Sequence, residues 1–117
     1  MPFVARELAL EVVERMKVVI GAVARRDRNL ANQMKAATVS VISNLNEGAR
    51  RRGKDRPALW RVSAGSAAEV QAQVQTAVIW DYIAEQPVVL ARLDRLLGVM
   101  WGLTEGKGAK ASPAPGR

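Results

Sequence analysis

The residue pattern predicts an all-α chain, an antiparallel up-down four-helix bundle. Three observations predict it. Apolar residues recur at spacings of three and four through four successive segments. No segment alternates apolar with polar residues as a half-buried strand would, and the breaks are short runs of charge, glycine or proline. The 117 residues suit one domain with one core, and the 49% apolar content can fill it.

The first helix is expected over 4–24, where Leu8, Val12, Met16, Val19, Ile20 and Val23 line one face. Arg25-Arg26-Asp27-Arg28-Asn29 forms a charged turn. The second helix, 30–47, carries Leu30, Met34, Ala37, Val41 and Leu45 along one stripe. Its β-branched run (Thr38, Val39, Val41, Ile42) would also fit a strand, but the stripe continues through it and both flanking segments are helical. Gly48 is expected as the C-cap, with Gly53 in the loop that follows.

The third helix is expected over 55–84, with Asp55 as N-cap and Pro57 in the first turn, where a missing N–H costs nothing. Its run Ala64-Gly65-Ser66-Ala67-Ala68 allows a neighbouring helix to approach closely. Pro87 opens the fourth helix, 87–103. Residues 104–117 are expected to form a disordered basic tail, since Gly, Ala, Pro and Lys offer nothing to bury. In the fourth helix Leu90, Leu93, Leu96, Leu97, Met100, Trp101 and Leu103 cover an arc of roughly 160°, wider than the ~100° one core requires. The surplus points to self-association through Leu90, Leu97 and Trp101; a wide core stripe is the plainer reading. Trp80, like Trp101, is read as a core or interface residue.

Composition narrows the chemistry. Without cysteine there are no disulfides, zinc–thiolate sites or thiol nucleophiles, and without histidine the commonest general base and metal ligand is missing. Charges at Arg6, Glu7, Glu11 and Glu14 are incompatible with a signal peptide's apolar stretch. The run Val18–Ala24 is far short of the ~20 residues that span a bilayer. A cytoplasmic protein without membrane contact is expected.

Charge carries the strongest functional signal. The chain has 18 Lys+Arg against 11 Asp+Glu, net +7. Residues 25–61 alone hold Arg25, Arg26, Arg28, Lys35, Arg50, Arg51, Arg52, Lys54, Arg56 and Arg61 against Asp27, Glu47 and Asp55, the entire excess. Arginine's planar fork suits phosphate, so a patch of this kind binds nucleic-acid backbone with steep salt dependence and little base specificity. Docking of an acidic protein, or a solvated loop with no partner, would use the same residues.

Two motifs carry less than they first offer. Gly48 to Lys54 spells G-x-x-x-x-G-K, but a phosphate-binding loop needs a preceding strand and a Ser or Thr after the lysine, where this chain has Asp55. Glu47 and Glu69 could in principle hold a metal for phosphodiester hydrolysis, yet no third ligand stands at a suitable spacing. The favoured reading makes Ser43, Asn44, Glu47, Ser66 and Glu69 a buried polar network that sets helix register. No catalytic residue, metal or cofactor is expected.

Ser43-Asn44-Leu45-Asn46-Glu47-Gly48, an Arg-rich loop, and Gly65-Ser66-Ala67-Ala68-Glu69 together resemble the S-N-x-x-E-G and G-S-x-x-E signatures of the four-helix-bundle family named for proteins encoded in 23S rRNA intervening sequences. The likeness covers roughly residues 6–103. The chain departs from the family pattern at Arg6-Glu7-Leu8, where an aromatic is usual, and at Ile42, where a proline is usual. The resemblance implies an up-down bundle that assembles as a ring, commonly a pentamer, without established enzymatic activity. A related fold is the accessory variability determinant of diversity-generating retroelements, a basic pentamer that binds nucleic acid and a reverse transcriptase. Leu96-Leu97-Gly98 with Trp101 is similar to that branch.

The reading of the sequence is therefore a non-enzymatic homo-oligomer. It binds RNA or DNA backbone through Arg50, Arg51, Arg52, Lys54, Arg56 and Arg61, with Arg25, Arg26 and Arg28 extending the surface. It would serve as an accessory to a nucleic-acid enzyme such as a reverse transcriptase. The alternative is a protein-interaction scaffold whose basic loop docks an acidic partner without binding nucleic acid.

Overall fold

A computed structural model describes residues 3–105. They form four helices and no strand: α1 (Phe3–Ala24), α2 (Arg28–Ala49), α3 (Asp55–Ile79) and α4 (Pro87–Glu105). Each helix packs on the next in sequence, and α4 closes back onto α1. Side-chain contacts run in opposite senses along each seam. From Leu45–Trp60 through Val41–Ser63 to Ser40–Ser66, α2 descends as α3 ascends. Arg61–Thr104 and Gln71–Asp94 show the same reversal between α3 and α4.

The stripes read from periodicity become the core. Val12, Met16 and Val23 of α1 meet Met34, Val41 and Leu45 of α2, Val70 and Val74 of α3, and Leu93, Leu96 and Met100 of α4, all fully buried. The α3 stripe is made of small residues, with Ser63, Ala64, Ala67 and Ala77 buried beside the two valines. Small side chains let the α2 backbone come close enough for direct bonding: Ser63 Oγ donates to the Val41 carbonyl at 2.6 Å.

Of the helix ends that differ from the expected ones, three have a plain physical reason. Asp27 begins α2 early because its carboxylate accepts from the Leu30 amide at 2.9 Å, satisfying an orphan donor of the first turn. At its other end α2 runs through Gly48 to Ala49, with Arg50 as C-cap. Gly48 is no cap: a Cβ there would lie 2.6 Å from both Cδ1 and Nε1 of Trp60. Its missing side chain makes room for the indole. The third helix stops at Ile79 rather than near Ala84 because Asp81 turns left-handed (φ 63°). The Asp81 amide then donates to the Val78 carbonyl and the Tyr82 amide to the Ala77 carbonyl, the bonding of a Schellman end. An aspartate occupies the position where glycine usually marks such an end, so no sequence signal announced it.

Residues 104 and 105 belong to α4, with Thr104 buried. The rest of the expected disordered tail, 106–117, lies outside the described residues. Trp80 and Trp101 are not core residues: they are 58% and 52% exposed. Leu90 and Leu97 pack on the core's flank and stay partly open.

Glu11 ties α4 to α1 by accepting from Arg92 Nε at 2.6 Å and from Arg15 Nε at 3.2 Å. The Arg92 bond, ahead of that from Arg15, holds the carboxyl below its ordinary value against a counteracting desolvation. A depressed carboxylate contributes stability that is present above its ordinary pKa and lost as pH falls through the lowered value. Glu11→Gln should therefore flatten part of the loss of stability on acidification, checked by urea midpoints between about pH 7 and pH 3. The close approach at Gly48 makes a second prediction. Gly48→Ala should destabilise the protein by about 1–3 kcal/mol through overpacking against Trp60. Gly21→Ala, where a Cβ meets open space, should stabilise it by about 0.5–1 kcal/mol, both read by denaturant unfolding.

Candidate nucleic-acid interface

The basic loop leaves α2 at Arg50 and enters α3 at Asp55, turning through Gly53 in the left-handed region (φ 63°). Its anchor is the α2–α3 corner. The Trp60 indole lies over Gly48 and donates from Nε1 to the Leu45 carbonyl at 3.0 Å. Arg56 closes the same corner, with Nε 3.2 Å from the Gly48 carbonyl and Nη2 2.9 Å from that of Ala49. Both carbonyls lie at the negative end of the α2 dipole, that of Gly48 also accepting from the Arg51 amide, so a guanidinium there acts as a C-terminal cap. The same guanidinium stands 5.5 Å from the Trp60 ring centroid, a cation–π arrangement.

The loop's cations therefore divide by task. Arg56 is engaged with the backbone. Arg51 pairs with Glu47 at 2.8 Å and with Asp55 at 3.7 Å, bracing the loop between both helices. Arg61, on the α3 face toward α4, reaches the Thr104 carbonyl at 3.5 Å. Arg50, Arg52 and Lys54 are exposed and have no side-chain partner among the described residues. Three free cations thus sit on a loop whose two ends are held rigidly.

Arg25, Arg26 and Arg28 lie at the other end of α2. Its 22 residues separate the two basic groups by about 33 Å at 1.5 Å per residue. They do not extend the loop's surface within the chain. Arg26 is engaged there, donating to the Asp81 carbonyl at 3.2 Å and standing 5.6 Å from the Tyr82 ring centroid. Tyr82 donates its hydroxyl to Asp27 at 3.3 Å. Partial burial, followed by the Asp27 charge, pushes its phenol up from the ordinary value.

The expected polar network falls into separate pieces. Ser66 and Ser40 share a hydrogen bond at 2.7 Å across the α2–α3 seam, and Asn44 donates to Ser40 at 3.0 Å. Ser43 faces solvent. Glu47 turns to Arg51, and Glu69, also exposed, accepts from Gln73 at 3.4 Å. The seam register sets Glu69 opposite the middle of α2 and Glu47 near its end, about 15 Å apart along the axis. The two carboxylates form no pair. Among the described residues no group of three or more acidic side chains could hold a metal ion.

A family model described as 23S rRNA-intervening sequence protein matches residues 4–96. The chain belongs to this family. No curated protein and no solved structure matches it. The signature residues now have positions: Asn44 and Ser66 on the α2–α3 seam, Glu47 bracing the loop, and Gly48 beneath Trp60. Among the described residues no helix is long and apolar enough to cross a membrane.

The division of labour in the loop predicts unequal mutational costs. Arg56→Ala should lower stability by about 1 kcal/mol, since charged hydrogen bonds to helix carbonyls are lost at a partly solvated site. Arg52→Ala should stay within about 0.5 kcal/mol of wild type. Urea unfolding of the two variants separates the outcomes.

Proposed function

We propose that the protein is a non-enzymatic homo-oligomer that binds the phosphate backbone of RNA or DNA through Arg50, Arg52 and Lys54, with Arg51 and Arg61 flanking them. The observation that carries this reading is the trio of exposed, internally unpartnered cations on a loop braced at both ends. A braced loop loses little conformational freedom when phosphates bind, and cations without internal partners need not break an ion pair first. Arg56 belongs to the scaffold and contributes to binding only by holding the loop.

Self-association accounts for the half-exposed Trp101 beside the partly open Leu90 and Leu97. A ring, as the family resemblance implies, would present several copies of the loop and combine weak phosphate contacts through multivalency. Service beside a nucleic-acid enzyme such as a reverse transcriptase fits a binding protein of this kind.

Fluorescence anisotropy of labelled RNA and duplex DNA tests the reading. Three phosphate contacts predict an affinity that falls roughly 40-fold between about 50 and 200 mM salt, and more steeply in an oligomer. The triple variant Arg50→Ala, Arg52→Ala, Lys54→Ala should lose that dependence on duplex DNA. Wild-type-like binding by the triple variant would overturn the assignment. Failure of wild type to bind at low salt, with a protein co-purifying, would favour the loop as a docking site for an acidic partner.

A further inference from the structure

The end of the bundle opposite the basic loop carries an aromatic surface that the loop's function does not use. Trp80 follows the last turn of α3 and is 58% exposed, and Ile79 beside it is 74% exposed. The backbone amide of Trp80 donates to the Thr76 carbonyl at 2.9 Å, and the left-handed Asp81 brings the chain straight back. Tyr82 then meets Trp80 edge to face, with centroids 5.9 Å apart and planes at 77°.

Tyr82 is itself clamped. Its hydroxyl bonds Asp27, and Arg26 both covers its ring and grips the Asp81 carbonyl. A half-exposed indole is thus held outward by a turn that includes a non-glycine residue in the left-handed region, a conformation retained only where the surroundings enforce it. Arg25 and Arg28 are exposed on the adjoining turn and have no side-chain partner among the described residues. Of the acidic groups at this end, Asp27 is occupied by the Leu30 amide and Tyr82, while Asp81 and Glu85 are exposed.

We propose that this end is a second nucleic-acid site, specific for single strands, in which an unpaired base stacks on Trp80 while neighbouring phosphates meet Arg25 and Arg28. Stacking on a rigid aromatic is tolerant of sequence and needs a base free of its partner. A duplex offers no such face except at its ends. A protein partner docking on Trp80 would meet exposed Arg25 and Arg28 on one side and exposed Asp81 and Glu85 on the other, unlike the charge-depleted core of a protein interface. The site lies a helix length from the basic loop and does not depend on it.

The test uses the full chain carrying Arg50→Ala, Arg52→Ala and Lys54→Ala, which removes the loop's contribution. Anisotropy is measured with a labelled short oligothymidylate and with a duplex. The loop-deficient protein should still bind the single strand. Adding Trp80→Ala should weaken that binding about 5- to 150-fold, the range for loss of one stacked base. Trp80→Leu should weaken it similarly, and Trp80→Phe should retain most of it. In the protein with the loop intact, duplex binding should not change on any Trp80 substitution. Thermal melting checks that each variant is folded; should Trp80→Ala unfold, Trp80→Leu with Arg25→Ala and Arg28→Ala carries the comparison. No single-strand binding by the loop-deficient protein would overturn the proposal, as would Trp80 variants that bind like their parent. Equal weakening on single strand and duplex would overturn it too, as would a change confined to the size of the oligomer. Because the loop is disabled in the single-strand measurements, those outcomes are independent of whether the loop binds duplex.

Discussion

The seating of the Trp60 indole on Gly48 is the contact on which the α2–α3 corner depends. An aromatic ring can reach the backbone of a neighbouring helix only where no Cβ intervenes, and at 2.6 Å even one methyl is excluded. Once seated, the ring can donate to the Leu45 carbonyl, and Arg56 one turn earlier on α3 falls within reach of the α2 C-terminus. Helix α3 is then set in register, and Ser63 and Ser66 land on Val41 and Ser40 further along the same seam. A run of small residues makes that seam possible, and the indole at its end fixes where the run begins.

This corner also explains why an arginine-rich loop does not act as a uniform patch of charge. Arginine serves two chemistries here. Its fork caps backbone carbonyls and stacks on an aromatic ring at Arg56, and it bridges carboxylates at Arg51. Both tasks compete with phosphate for the fork. The residues left over, Arg50, Arg52 and Lys54, owe their availability to the neighbours that brace the loop. Exposed ion pairs such as Arg51–Glu47 add little to stability, but they hold the chain's direction.

The far end repeats the arrangement with different parts. Arg26 covers Tyr82 as Arg56 covers Trp60, and each guanidinium also grips a backbone carbonyl, Arg26 that of Asp81 after α3 and Arg56 that of Gly48 across the loop. At the loop end the aromatic ring is buried and the free groups are cations. At the turn end an indole is left outside as well. The two ends of one bundle thus offer different surfaces, one charged and one aromatic with charge beside it.

The sequence by itself determined the class of fold and the distribution of charge. Both are properties of order along the chain: apolar spacing of three and four specifies helices whatever they pack against, and the excess of arginine in 25–61 needs no coordinates to be counted. The family signatures were legible for the same reason. Tertiary structure alone decided which arginines are free, because Arg56 and Arg61 differ from Arg50 and Arg52 only in what other helices bring to them. It decided that Gly48 serves an indole from the next helix and not a helix end, since a glycine after a helical run reads as a cap until the facing side chain is known. It also separated Glu47 from Glu69 and placed Trp80 outside the core. The left-handed Asp81 ended α3 five residues before the periodicity faded, and aspartate, unlike glycine, gives no local sign of that turn.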